Sequence, residues 1–253
     1  MVTGRELLRQ ISLDTATIRG DLVGRQGISE GSGTSDLFLY QAGEWCLKTS
    51  GRRYFSSLDR GRDELLFLAR KKVKLGTLRP PRTILVLQPE EEGEGCWLWT
   101  IMPWMQTLRG LMSRAVEEGN EGQLTAALEI YAWAAIRSLL GASRQGIMLD
   151  VHPSNFVLAE DQTSYFYIDD DIGSGNAIPA IGFALLRRVE EYSEWPVAIA
   201  TYVEVLEQAL SIWLKPRDVQ VLDLTGAIQQ TFIRSEKARL VREQLLQVVR
   251  RIG

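Results

Sequence analysis

GIMLDVHPSNFVL, residues 146–158, sets an acid, the chain's single histidine, a proline and an asparagine between two apolar flanks. It is either a polar surface loop or the working centre of the molecule. Asp150 and Asn155 are spaced as D-V-H-P-S-N, and the run that follows, NFVLAED, has the apolar content of a short strand. A second strand-like run, YFYIDDD at residues 165–171, ends on Asp169, Asp170 and Asp171. An apolar hairpin between the two runs would hold Asp150, Asn155 and Asp169 in fixed relation. Phosphoryl transfer uses this set of groups. It needs a carboxylate that orients or deprotonates the acceptor hydroxyl, and hard oxygen donors for magnesium on the nucleotide phosphates. Asp150 suits the first role; Asn155 and Asp169 suit the second. Asp170 and Asp171 extend the acid run; either one of them assists the metal or both are exposed acids at a strand end, and the second is the expected case. His152 invites a general-base reading, but in this spacing its expected task is to brace its own loop by hydrogen bonds.

Working outward, the upstream half is strand-rich. DLFLY and EWCLKTS are short strands around the turn-sized QAG. DRGRDELLFLARKK is a helix with Leu65, Leu68 and Ala69 on one side. RPPR interrupts the chain, and TILVLQ and CWLWTIM are strands joined by PEEEGEG, an acidic hairpin tip. From Thr107 onward the pattern is helical: Leu124, Leu128, Tyr131, Ala135 and Leu139 recur at the helical period. IGFALLRRVEEY, VAIATYVEVLEQALSIWL and SEKARLVREQLLQVVRRI are three more helices, the last with mixed charges that read as a solvated face. The expected class is α+β, with a strand-rich N-terminal lobe over residues 1–103 and a helical C-terminal lobe over residues 104–253.

Composition narrows the function classes. A chain of 253 residues can bury a sizeable core, and 45% apolar with 24% charged residues is ordinary for a soluble globular protein. A net charge of -3 gives no general pull toward nucleic acid or anionic membrane. MVTGRELLRQISLD carries charges where a secretory leader needs an apolar run, and no stretch approaches the ~20 apolar residues of a membrane span. Two cysteines and one histidine cannot make a standard structural zinc site, so Cys46 and Cys96 read as buried free thiols. These features lead us to expect a cytoplasmic protein without disulfides.

Three upstream features gain meaning only beside the opening motif. GISEGSGTSDLFLY is a glycine-rich turn whose backbone N–H groups can approach an anion closely, though such a turn alone reads as an ordinary hairpin. Lys48 ends an apolar strand and alone reads as a solvated strand end. Glu64 opens the apolar stripe of the next helix and alone reads as a surface acid.

D-x-H-P-x-N followed by an apolar strand ending in I-D resembles the catalytic core of the aminoglycoside phosphotransferase-like kinases. That group includes choline- and homoserine-type kinases and belongs to the protein-kinase-like superfamily. The other features fall in the family's order. EGSGTSDLFLY is similar to its glycine-rich loop, WCLKTS to the strand bearing the ATP-contacting lysine, and RDELLFLARKKV to the helix bearing that lysine's glutamate partner. LWTIMPWM resembles the strand leading into the interlobe hinge. The likeness spans roughly residues 20–185. It implies a bilobal fold with a small antiparallel-sheet N-lobe and a helical C-lobe, and it implies ATP and magnesium. Gly31, Gly33 and Ser35 would belong to the phosphate-covering turn. Lys48 would contact the α- and β-phosphates and pair with Glu64. Asp150 would be the catalytic carboxylate, and Asn155 and Asp169 would hold magnesium. The adenine would sit near Met102 to Met105, against Met102 and Trp104, with hinge backbone groups on its edge.

Two departures from the family pattern stand out. The catalytic aspartate usually follows H-G or H-R, whereas here Met148-Leu149 precedes Asp150; the brace that histidine provides must be replaced or lost. The helix after the metal aspartate often carries a further aspartate that ties down the catalytic loop, and AIPAIGFALL has none. Only DDIGSGNAIPA separates Asp169 from the next helix, with no A-P-E-like anchor, which points to a small-molecule acceptor. Asp170, Asp171 and Glu190 would suit a cationic one. The alternatives are a nucleotide-binding pseudokinase or assembly factor with a protein partner, and a protein kinase with a truncated activation segment.

Overall fold

The computed structural model describes residues 37–159, 161, 164–175 and 181–253. Gly31, Gly33 and Ser35 lie outside the described residues. The chain is α+β and divides into two compact units. One runs to Val73 and includes Arg79–Met105; the other is Lys74–Leu78 with Gln106–Gly253.

In the first unit β1 (Leu37–Ala42) and β2 (Trp45–Ser50) form an antiparallel hairpin with Ala42 opposite Trp45. A two-residue connection needs a left-handed residue, and Gly43 supplies it at φ +57°. β5 (Cys96–Pro103) is the centre of the sheet. β4 (Ile84–Pro89) pairs along its length, while β2 and the two-residue β3 (Tyr54–Phe55) pair with its two halves. A strand flanked on both edges and covered on both faces reads as a continuous apolar run, which is why CWLWTIM shows no alternation. Leu47, Val86, Trp99 and Ile101 form the unit's small core. The helix α1 (Leu58–Lys74) turns Gly61, Leu68 and Lys72 inward. A Cβ at Gly61 would stand 2.3 Å from Cys96 Sγ, so glycine is what lets α1 approach β5 this closely. Cys96 is a buried free thiol, and burial pushes its pKa up.

The second unit holds α2 (Leu108–Glu117), α3 (Glu121–Arg144), α4 (Ile181–Glu191), α5 (Pro196–Trp213), α6 (Pro216–Leu222), α7 (Leu224–Gln229) and α8 (Glu236–Ile252). Leu124, Leu128, Tyr131, Ala135 and Leu139 of α3 are all buried as expected. Ala127, Ala132, Ala134 and Ile136 are buried as well, so α3 is the central core helix, packed on α5 and α2. The short α6 and α7 were not legible from periodicity, because each has fewer than three turns. Glu236, Arg239, Glu243, Arg250 and Arg251 of α8 are exposed, which is the solvated face its charges suggested. Two small sheets complete the unit: β6 (Gln106–Thr107), β8 (Phe156–Leu158) and β9 (Tyr165–Tyr167) in one, β7 (Ile147–Met148) with β10 (Gly173–Ser174) in the other. Among the described residues no helix is long and apolar enough to cross a membrane.

Candidate active site

Two antiparallel pairings bracket the polar loop. β8 pairs with β9 on its C-terminal side, with Phe156 opposite Tyr167. The Ile168 N–H extends that ladder by donating to the Asn155 carbonyl at 2.9 Å. On its N-terminal side β7 pairs with β10, with Met148 opposite Gly173. The segment carrying Asp150 and Asn155 and the segment carrying Asp169 to Asp171 are thus tied together at both ends. Met148 precedes Leu149 and Asp150 at the end of β7. It is exposed and lies across Gly173: a Cβ there would be 2.9 Å from Met148 Cε.

Inside the loop, Asp150 and Asn155 touch. The Asn155 side-chain nitrogen donates to the Asp150 carbonyl at 2.9 Å and to Asp150 Oδ2 at 3.2 Å. Both neighbours are acceptors only, so the amide nitrogen must face them and Oδ1 points elsewhere. The His152 N–H donates to Asp150 Oδ1 at 3.1 Å, so each carboxylate oxygen has one donor. Asp150 itself remains exposed. His152 has the bracing role its spacing suggested. Its Nδ1 accepts from the Ser154 N–H at 3.3 Å and meets Ser154 Oγ at 2.7 Å, capping the single 3-10 turn Pro153–Asn155. Accepting there places the proton of the neutral ring on Nε2.

Asp169 is half-buried, and its Oδ1 accepts from the Asp170 N–H at 2.8 Å. Asp170 is buried rather than an exposed strand-end acid, whereas Asp171 is exposed. Among the described residues no group of three or more His, Cys, Asp or Glu side chains is placed to hold a metal ion. Asn155 Oδ1 and the Asp169 carboxylate are two hard oxygen donors. That donor set fits magnesium held partly by phosphate and water oxygens, and does not form a protein-only cage.

The surroundings of Asp150 hold groups that pattern reading passed over. Tyr131, fully buried on α3, donates its hydroxyl to the Val151 carbonyl at 2.9 Å, with the Ala184 carbonyl of α4 at 3.3 Å. Burial keeps this phenol protonated far above its ordinary range. Its ring stacks on Tyr202 and meets Phe156 edge-on. Tyr167 is buried with its hydroxyl facing the Asp150 backbone, but no partner among the described residues lies at hydrogen-bond geometry. Burial, then Asp169 and Asp150, push its pKa well up. Glu191 of α4 bridges Arg188 and Arg109, and Arg109 also reaches the Tyr192 hydroxyl at 3.1 Å. Burial would raise Glu191, yet the two guanidiniums hold it below its ordinary value. Burial and then Arg188 lower the His152 pKa, with Asp150 opposing. Arg188 could have been noticed in the sequence as an arginine on the apolar stripe of Leu185, Val189 and Tyr192. Tyr131 carried no signal beyond its place in the period.

Glu190 is not an acceptor-facing acid. Its Oε1 accepts the Arg234 and Ser235 N–H groups, the latter at 3.0 Å, at the start of α8. Burial would raise its carboxyl, but those N–H groups hold it low.

In the first unit Lys48 is not a solvated strand end. It is only 8% exposed, in register with Leu39 of β1 and Thr100 of β5. Glu64 is exposed on α1 and makes no ion pair with Lys48 or any other of the described residues. The buried lysine of α1 is Lys72, which pattern reading overlooked. Met102 is buried on β5, whereas Trp104 is 47% exposed. The Trp104 N–H donates to the Glu44 carbonyl at 2.6 Å, which removes it from the donors open to a nucleotide base.

No protein-family model matches the chain. No curated protein matches it. Among solved structures, one similar chain is WbdD in its co-crystal with the kinase inhibitor LY294002, with a TM-score of 0.35 and 13% identity. The match covers 86% of this chain and 44% of that one, so the chain spans less than half the length of its neighbour. Likeness at that level fixes neither a fold family nor an activity.

Proposed function

We propose that the chain is an ATP- and magnesium-dependent phosphotransferase of protein-kinase-like fold, which moves the γ-phosphate to a hydroxyl of a small-molecule acceptor. The observation that carries this reading is the doubly bracketed loop. Asp150 is exposed, with one donor on each carboxylate oxygen, while Asn155 Oδ1 is turned away from it and Asp169 stands on the paired segment. In this reading Asp150 orients the acceptor hydroxyl and takes its proton, and its two hydrogen bonds fix the carboxylate's direction beforehand. Magnesium, when bound through Asn155 and Asp169, neutralises phosphate charge. Lys48 contacts phosphate oxygens, and the backbone near Met102 to Met105, other than the Trp104 N–H, contacts the base. Glu190 is committed to α8, so the case for a cationic acceptor rests on Asp170 and Asp171 alone.

Two observations favour a second reading, a nucleotide-binding pseudokinase or assembly factor that acts through a protein partner. Met148 occupies the family's histidine position, and Glu64 makes no ion pair among the described residues. Turnover separates the two readings. The first expects magnesium-dependent ATP consumption that rises with the right hydroxyl acceptor and is abolished in Asp150→Ala, with nucleotide binding retained. The second expects thermal stabilisation by nucleotide without transfer. Ligand at a hundred times its Kd stabilises by about 2.7 kcal/mol, a shift that melting curves detect. Wild-type turnover in Asp150→Ala would overturn the role given to Asp150, and no shift with any nucleotide would overturn both readings.

A further inference from the structure

We propose that Tyr131 is the positioning residue for Asp150, acting on the carboxylate through a single peptide plane. The inference deepens the phosphotransferase reading and rests on it for its kinetic consequence. The Val151 carbonyl and the His152 N–H belong to the same planar amide. Tyr131 donates to the carbonyl end at 2.9 Å, and the N–H end donates to Asp150 Oδ1 at 3.1 Å. Fixing one end of a rigid plane fixes the other. Donation to the carbonyl also polarises the amide and strengthens its N–H as a donor. Val151 is buried, so without the phenol its carbonyl would lack this partner in an environment that penalises an unmet acceptor. Tyr131 is itself held from three directions, by its place on the core helix α3, by the stacked Tyr202 and by the edge of Phe156. Its hydroxyl also lies 3.3 Å from the Ala184 carbonyl, which ties the loop to α4, the helix that lacks the family's loop-anchoring aspartate. The restraint missing at Met148 is thus supplied from beneath the loop by a phenol.

The test compares Tyr131→Phe with Tyr202→Phe. Both keep the ring and lose one buried hydroxyl; that of Tyr202 donates to the Leu185 carbonyl at 3.0 Å and does not touch the loop. Hydrogen exchange at the His152 amide should quicken about five- to tenfold in Tyr131→Phe, the weight of one hydrogen bond, and stay unchanged in Tyr202→Phe. kcat should fall by a similar factor in Tyr131→Phe, with the nucleotide KM unchanged. In the unaltered chain the Tyr131 hydroxyl proton should be slow to exchange with solvent. Unchanged His152 exchange in Tyr131→Phe, or an equal rise in Tyr202→Phe, overturns the proposal. If the unaltered chain transfers no phosphate, the functional reading fails, and the His152 amide still decides whether Tyr131 positions Asp150.

Discussion

At His152, burial, Arg188 and Arg109 outweigh the carboxylates of Asp150 and Glu191, and the neutral ring is the favoured form in the folded chain. A folded pKa below the unfolded one sets the sign. The contribution is complete above about pH 6.5, the ordinary histidine value, and is lost as the pH falls from there toward the lowered folded value. Glu190 and Glu191 are held low, so they stay ionised through that window. The melting temperature should therefore drop between about pH 7 and pH 5. It should drop less in His152→Asn, whose amide oxygen can keep the cap on the Ser154 N–H. An identical drop in both proteins would remove His152 as the cause. A second contrast lies between two buried tyrosines near the polar loop, Tyr131 on α3 and Tyr167 on β9. Tyr131→Phe breaks a satisfied hydrogen bond and should destabilise by about 1 kcal/mol. Tyr167→Phe removes a buried hydroxyl that has no hydrogen-bond partner among the described residues, and should leave the melting temperature unchanged or raise it. A clear loss of stability in Tyr167→Phe would mean that its hydroxyl is satisfied after all.

Among the elements, the approach of α1 to β5 depends on one missing side chain. Gly61→Ala would bring a methyl to 2.3 Å from Cys96 Sγ and 3.1 Å from Leu87 Cδ2. Cys96 lies on β5, which is paired on both edges and cannot retreat far, so we expect a loss of about 1–3 kcal/mol in denaturant titrations. Cys96→Ala in the same chain should recover part of it, and a strictly additive double variant would rule out the contact as the cause. The longer elements were legible because several turns or several residues repeat a burial rule. CWLWTIM is apolar throughout because β5 is covered all round, and the α3 stripe is visible because Leu124 to Leu139 spans several turns. The two-residue strands β3, β6, β7 and β10 and the short helices α6 and α7 are too brief to repeat anything. They exist because neighbouring chain offers partners for their backbone groups.

For the whole molecule, the two units have unequal cores. A cluster of four buried residues, Leu47, Val86, Trp99 and Ile101, anchors the first, whereas the core of the second extends across α2 to α8. Local opening free energy follows buried apolar contact, so the first unit should open at lower denaturant. Hydrogen exchange followed by mass spectrometry in mild urea should show β1, β2 and α1 exchanging before α3 and α5. Simultaneous exchange in both would mean that they unfold as one cooperative body.

The sequence alone determined the α+β class and the longer strands and helices, and it singled out Asp150, Asn155 and Asp169 as a candidate set. These follow from local periodicity and from residue types whose chemistry is visible in a short motif. Only the tertiary structure decided what surrounds that set. Lys48 is buried within the sheet that β1, β2 and β5 form, and Glu190 accepts from the Arg234 and Ser235 N–H groups that lead into α8 because residues far apart in the chain meet there. Tyr131 lies beneath Asp150 because the core helix α3 passes under the loop. A hydrogen bond across twenty residues leaves no periodic trace, since the donor obeys the packing rule of its own helix whether or not its hydroxyl has a partner.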